Sequence, residues 1–275
     1  MISFPNAKIN LGLDIVRRRP DGYHDISTIF YPIALTDALE IVPSTTGEST
    51  LMVTGNDVDC PTEKNLVMKA FRLLEKEFAL PPVQMWLVKR IPHGAGLGGG
   101  SSDAAFALVM LNKIFNLALS PEQLASRAAT LGADCAFFVH NTPMSATGIG
   151  DILSPLPLSL SGKTLVLVKP DVSVPTKVAY SKVTPAVPLE DVAQIVTRPI
   201  AQWRNALKND FEPSVMSEYP IVAQIKQRLY DAGAAYASMS GSGSSVFGIF
   251  DCDNMAESAR FSLAEQFGNV FAIPL

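Results

Sequence analysis

Cysteine and histidine are scarce here, with three of each in 275 residues. Cys60, Cys135 and Cys252 are odd in number and form no Cys-x-x-Cys pair. That argues against a disulfide framework or a zinc knuckle and for a reducing, cytoplasmic setting. A basic surplus is also missing. The formal net charge is −4, and the one short basic cluster, Arg17–Arg18–Arg19, runs at once into a turn, so no nucleic-acid partner is expected. No charge-free apolar run of about 18 residues occurs, so no membrane span is expected. The N-terminus lacks a signal peptide's charged segment and long apolar run; it reads as a strand interrupted by Pro5 and Lys8. Internal repeats and low-complexity tracts are absent. What remains is an ordinary globular composition, 48% hydrophobic and 17% charged. A chain of this length suits two modest domains sharing an interface, or one large domain.

Hydrophobic periodicity divides the chain into elements. Residues 9–16 alternate apolar and polar, as a half-buried strand does. Pro20–Asp21–Gly22 is a turn, 38–42 and 50–54 are further strands, and 44–49 is an exposed loop. Leu66, Ala70, Leu73, Leu74 and Phe78 predict a helix over 65–79, and 83–91 returns to a strand. A glycine-rich loop, 94–100, empties into a buried helix over 102–115. Ser120 with Pro121 and Glu122 is a helix start, and that helix runs to about Leu131. The apolar run Cys135–Val139 reads as a strand. A Pro/Leu/Ser-rich stretch, 153–163, marks a domain junction. Beyond it come a strand at 164–169, a helix at 219–232, strands at 234–239 and 244–250, a helix at 254–266 and a strand at 269–273. This β-α-β-β-α-β order, with extra helices before the main one, is that of a ferredoxin-like domain. Met68, Met110 and Trp86 are core or packing residues.

The glycine loop is the candidate for chemistry, with a structural turn as the alternative. Residues 92–102 read Pro-His-Gly-Ala-Gly-Leu-Gly-Gly-Gly-Ser-Ser. Glycine is needed where backbone takes positive φ or comes very close to a ligand. The unpaired N–H groups and dipole of the following helix favour an anion, and a phosphate chain is the obvious one. Ser101 and Ser102 add hydroxyls that can reach a phosphate or its cation. No Gly-Lys-Ser/Thr follows, so this is not a Walker loop. Gly94, Gly96 and Gly99 match parts of a dinucleotide fingerprint, but the flanking βαβ unit is missing.

Pro92 to Ala105 resembles the second motif of the GHMP kinases, named for galactokinase, homoserine kinase, mevalonate kinase and phosphomevalonate kinase. Pro5–Leu11 resembles the first motif and Met239–Phe247 the third, in the expected order and spacing over essentially the whole chain. Ala7-Lys8-Ile9-Asn10-Leu11, Arg19-Pro20-Asp21-Gly22-Tyr23-His24 and Leu131-Gly132-Ala133-Asp134 resemble one branch of that family. Its acceptor alcohol is methylerythritol carrying a diphosphocytidyl group, in the non-mevalonate route to isoprenoid precursors. One departure is Asp103, where other members carry Asn. The resemblance implies an α+β fold, with an N-terminal ribosomal-protein-S5-domain-2-like domain over 1–158 and a C-terminal ferredoxin-like domain over 159–275. It implies ATP and Mg²⁺ as cofactors, a small-molecule substrate with a cytidine diphosphate group, and a monomer or weak homodimer. Mevalonate-type or homoserine-type phosphorylation is the alternative.

Phosphoryl transfer to an alcohol needs alignment, charge neutralisation and a place for the hydroxyl proton. Lys8 in an apolar strand and Asp134 beside an apolar run are both costly unless paired. They read equally as a catalytic pair or a structural ion pair; the resemblance implies catalytic roles for both. It implies nucleotide contacts for Pro92, His93, Gly94, Ala95, Gly96, Leu97, Gly98, Gly99, Gly100, Ser101 and Ser102, and an adenine-side position for Asn65, which by itself is a helix-start residue. By themselves Tyr23 and His24, in a loop after the turn, read as surface or packing residues; the resemblance assigns Tyr23 to stacking on the cytosine and His24 to hydrogen bonding with it. Phe30 and Tyr180 can complete an aromatic sandwich, with core packing as the alternative. Asn10, two residues past Lys8, shares its strand face and can reach the sugar alcohol or diphosphate. The resemblance places Thr176, Gly241 and Ser242 at the border of the substrate. The metal ligands stay unassigned, with Asn10 and Ser101 as candidate contacts. His140 receives no role.

Overall fold

The protein is described by a computed structural model, which covers residues 1–56 and 60–275. Its packing separates two compact units, residues 1–7, 35–93 and 98–142, and residues 8–34, 94–97 and 143–275.

The first unit holds a four-stranded sheet in the order β1 (Ile2–Ser3), β4 (Ala38–Pro43), β6 (Val83–Lys89), β5 (Thr50–Gly55). Pairing is antiparallel except for β5 with β6. Val83, Met85 and Leu87 alternate along β6 onto one buried face. There they form one core with α1 (Leu66–Phe78) and α2 (Gly99–Ile114). Helix α1 buries Val67, Met68, Ala70, Phe71 and Leu74, a stripe with helical period. Helix α3 (Pro121–Leu131) starts at Ser120, as its sequence predicts. The Ser120 hydroxyl accepts from the Gln123 N–H, and the Gln123 side chain accepts from the Ser120 N–H, a reciprocal capping box.

Residues 135–139, read as a strand, form a helix instead, α4 (Cys135–His140). Cys135, Ala136, Phe137 and Phe138 are all buried. A run that is apolar at every position carries no period, so it fits a buried helix as well as a strand.

The second unit holds two sheets. One has the order β10 (Tyr236–Met239), β11 (Val246–Phe250), β9 (Thr164–Lys169), β12 (Asn269–Pro274), antiparallel throughout. With α9 (Pro220–Asp231) between β9 and β10, and α10 (Asp253–Phe267) between β11 and β12, this is the ferredoxin-like arrangement. Four short helices precede α9: α5 (Thr176–Ser181), α6 (Val192–Ile195), α7 (Trp203–Ala206) and α8 (Glu212–Glu218). Val166, Val168, Val222, Ile225, Leu229, Val246 and Leu263 lie in its core.

The other sheet runs β2 (Asn6–Arg18), β3 (His24–Thr36), β7 (Met144–Thr147), β8 (Ile152–Pro155). The 13-residue strand β3 was not legible in the sequence. Ile29, Phe30 and Tyr31 are buried in succession, so alternation is lost, and Pro32 argues against a strand. Among the described residues no helix is long and apolar enough to cross a membrane.

Candidate active site

In the second unit, β2 carries Lys8, which is 3% exposed. Its ammonium donates to Asn10 Oδ1 at 2.6 Å and to the Gly96 carbonyl at 3.1 Å, and lies 5.1 Å from the centroid of the Phe30 ring. Its own N–H donates to the Leu97 carbonyl at 3.0 Å. The first-motif lysine is thus built against the glycine loop. Asn10 engages both ends of its amide, since Nδ2 donates to Thr28 Oγ1 at 2.9 Å. Phe30 is buried beneath the Lys8 ammonium.

The third motif joins the same cluster. The Ser240 hydroxyl donates to the Gly96 carbonyl at 2.9 Å and accepts from the Asn10 N–H at 3.3 Å. Gly96 has φ 75°, and a Cβ built there would stand 2.0 Å from the Ser240 carbonyl oxygen. Only glycine permits that approach. Asn209, which sequence reasoning missed, donates to the carbonyls of Met239 and Gly241 at 2.9 and 2.8 Å and so fixes the turn from below. Ser242 and Thr176 exchange a hydroxyl hydrogen bond at 3.1 Å. The His24 and Tyr180 rings stack with centroids 5.0 Å apart and planes at 25°, and Phe211 meets Tyr180 edge-on. Tyr23 is 62% exposed, with its N–H held by Asp21. Tyr180 therefore supports the His24 ring itself.

The first unit gathers most of the remaining residues, while 94–97 belong to the second. Gly98 (φ 72°) precedes the first turn of α2, and the N–H of Ser102 returns to its carbonyl at 2.9 Å. Asn65 caps α1 by accepting the Val67 N–H at 2.9 Å, and Leu66 beside it lies against Gly100. Asp134 stands at the start of α4. The Cys135 thiol is pushed up to about 11 by burial, with the Asp134 charge adding to the rise and a hydrogen bond from Ser101 opposing it. Ser101 and Asp134 thus both lie close to Cys135. Lys8 and Asp134 belong to different units. Pro92 and His93 lead into the loop, Ala95 and Leu97 are buried within it, and Gly94 lies against Ser173.

Two charged residues the sequence reading did not single out, Asp37 and Lys89, are buried with Asp103 in one cluster. Burial pushes the Asp103 carboxyl up, while Lys89 opposes that rise. Burial pulls Lys89 down, but the charges of Asp103 and Asp37 outweigh it and hold the ammonium above its ordinary value. For Lys89 the signal was present: Val83, Met85 and Leu87 point inward, and period two places Lys89 on the same face.

Segments 65–142 and 191–269 match the models of the GHMP kinase N-terminal domain and C-terminal domain. The chain belongs to the GHMP kinase family. It is an α+β kinase with the N- and C-terminal domains of that family, and kinases of this family use ATP. A 4-diphosphocytidyl-2-C-methyl-D-erythritol kinase of Bacteroides fragilis is 53% identical over 96% of this chain and 97% of its own. The crystal structure of a 4-(cytidine 5'-diphospho)-2C-methyl-D-erythritol kinase superposes with a TM-score of 0.86, at 33% identity over 99% of this chain and 98% of that one. A Methanococcus jannaschii mevalonate kinase has a TM-score of 0.75 at 12% identity, over 100% and 98% of the two chains, a likeness of fold alone.

Proposed function

We propose that this GHMP kinase transfers the γ-phosphoryl group of ATP to the 2-hydroxyl of 4-diphosphocytidyl-2-C-methyl-D-erythritol. The acceptor follows from relatives sharing about half the residues over nearly the whole length. The observation that carries the chemistry is the Lys8 ammonium, buried and lodged on the Gly96 carbonyl of the glycine loop. A cation fixed there offsets charge on the moving phosphoryl group. Asp134 orients the acceptor hydroxyl and takes its proton. The N–H groups at the start of α2 hold phosphate oxygens, and Asn65 serves the adenine side. Tyr23 stacks on the cytosine, His24, braced by Tyr180, hydrogen-bonds to it, and Asn10, Phe30, Thr176, Gly241 and Ser242 line the rest of the acceptor's path. We place the domain boundary near residue 158 and the protein in the cytoplasm.

Magnesium fits this reading. No group of three or more His, Cys, Asp or Glu able to hold a metal lies among the described residues. A kinase magnesium, however, is held chiefly by phosphate and water oxygens with one or two protein ligands. Ser102 offers such a ligand, because its buried hydroxyl has no hydrogen-bond partner, and Ser101 precedes it. Bound with ATP, the ion neutralises phosphate charge.

The test is incubation with ATP, Mg²⁺ and the diphosphocytidyl acceptor, with product mass and phosphorus resonance spectra as readouts. A single new phosphomonoester on the 2-hydroxyl is expected. No product here, alongside turnover of mevalonate or homoserine, would refute the assignment.

A further inference from the structure

We propose that the buried triad Asp37–Lys89–Asp103 is the positioning device of the phosphate loop, tying the strand that enters the loop to the helix that leaves it. All three residues lie within the first unit and are 1%, 5% and 2% exposed. Lys89, the last residue of β6, donates to Asp103 Oδ2 at 2.6 Å and also to Asp37 Oδ2. Asp37 is the single residue between β3 and β4. Its other oxygen accepts the N–H groups of Arg90 at 2.5 Å and Ile91 at 2.8 Å. One carboxylate therefore fixes residues 89–91, immediately ahead of the loop. Asp103 lies one turn inside α2, the loop's exit. Gly99, in the first turn of that helix, is packed against the same residues: a Cβ there would stand 3.0 Å from Ile91 Cγ2 and 3.4 Å from Lys89 Nζ.

The loop has little stiffness of its own. Glycine leaves the backbone more freedom than any other residue, and three of the loop's glycines sit at positive φ. The direction of the first N–H groups of α2 is then set by how the two stems are held. Stability does not account for the triad. Buried ion triads are often no more stable than apolar replacements. This one sets two carboxylates against one ammonium, and Asp103 Oδ1 has no hydrogen-bond partner. Its distinctive property is fixed geometry between the two stems, which is what donors aimed at a phosphate chain require.

The inference rests on reading the loop as the phosphate cradle, so the experiment carries a control for that reading. Asp37→Asn, Asp103→Asn and Gly98→Val are compared with the parent chain by steady-state kinetics in both substrates, thermal unfolding and amide hydrogen exchange. Asp37→Asn turns an NH₂ toward Lys89 or loses the Arg90 and Ile91 contacts, and should raise KM for ATP about ten- to a hundredfold, with KM for the acceptor changed less than about twofold. Asp103→Asn keeps shape and one acceptor oxygen and should raise KM for ATP by a smaller factor, again selectively. Faster exchange should be confined to amides 90–102. If Gly98→Val raises KM for ATP selectively while both Asn variants lower only the melting temperature, or raise both KM values equally, the positioning role is refuted and the cradle stands. If Gly98→Val also leaves KM for ATP unchanged, the cradle reading falls and this inference falls with it. Should Asp37→Asn fail to fold, Asp103→Leu, which keeps the Lys89–Asp37 pair and cuts its tie to α2, decides by the same readouts.

Discussion

Lys8 and Asp134 are read as acting on the reaction itself, so their removal should show in turnover before it shows in stability. Lys8→Met keeps an unbranched side chain and loses the ammonium that lies over Phe30. It should lower kcat by about 10²–10³, as loss of one preorganised electrostatic contact does. Asp134→Asn should lower kcat by about 10²–10⁴, with ATP affinity and melting temperature close to the parent's. Near-parental turnover in Asp134→Asn, measured by coupled assay, would remove it from the mechanism. Asp14 gives a prediction independent of catalysis. It is 2% exposed, and its carboxyl is raised to about 6, first by burial and then by the charges of Asp210 and Asp191, against Lys208. The folded chain therefore holds this proton more tightly than the unfolded chain. The cost of the ionised form is fully present above pH about 6 and is relieved as the pH falls toward about 4. Asp14→Asn should flatten that part of the stability profile and stabilise the chain at pH 7.5 by on the order of 1–3 kcal/mol. Urea unfolding at pH 7.5 and 4.5 measures both effects; an unchanged slope would refute the account.

At the scale of elements, the glycine loop makes the sharpest demand on sequence. Gly96→Ala combines positive φ with a Cβ 2.0 Å from a backbone oxygen. It should destabilise the chain by more than about 1–2 kcal/mol and raise KM for ATP; an alanine variant with parental melting temperature would contradict this geometry. Elements with a clear period or cap were legible in the sequence: α1 from its stripe, α3 from Ser120 and Pro121, and the ferredoxin-like order from strands flanking α9 and α10. Two elements with successive buried residues were not. The run 135–139 became a helix because uniform burial leaves no period to read, and β3 was hidden by successive buried residues and by Pro32. Within the site, Lys8, Asn10 and the glycine loop were legible because lysine in an apolar strand and glycines ahead of a helix are unusual. Asn209 gave no signal, because its hydrogen bonds go to backbone carbonyls 30 and 32 residues away. Asp37 is equally silent, since its partner lies 52 residues on.

Across the whole molecule, the proposed function has a base far from the reacting hydroxyl govern which alcohol is phosphorylated. Binding energy from a remote group can be used to position the reacting centre, so a truncated substrate loses turnover as well as affinity. The stacked His24 and Tyr180 rings and the exposed Tyr23 are the side chains read as supplying that energy. Stacking on a base is worth about 1–3 kcal/mol, so Tyr23→Ala should weaken the cytidyl acceptor about ten- to a hundredfold while ATP affinity stays near normal. Tyr180→Ala should weaken it through loss of support to His24. The most direct measurement is kcat/KM of the unaltered protein for 4-diphosphocytidyl-2-C-methyl-D-erythritol and for methylerythritol phosphate, which keeps the 2-hydroxyl but lacks the cytidyl group. A loss of at least about a thousandfold is expected for the truncated alcohol, carried by kcat as well as KM. Equal kcat/KM for the two would contradict it.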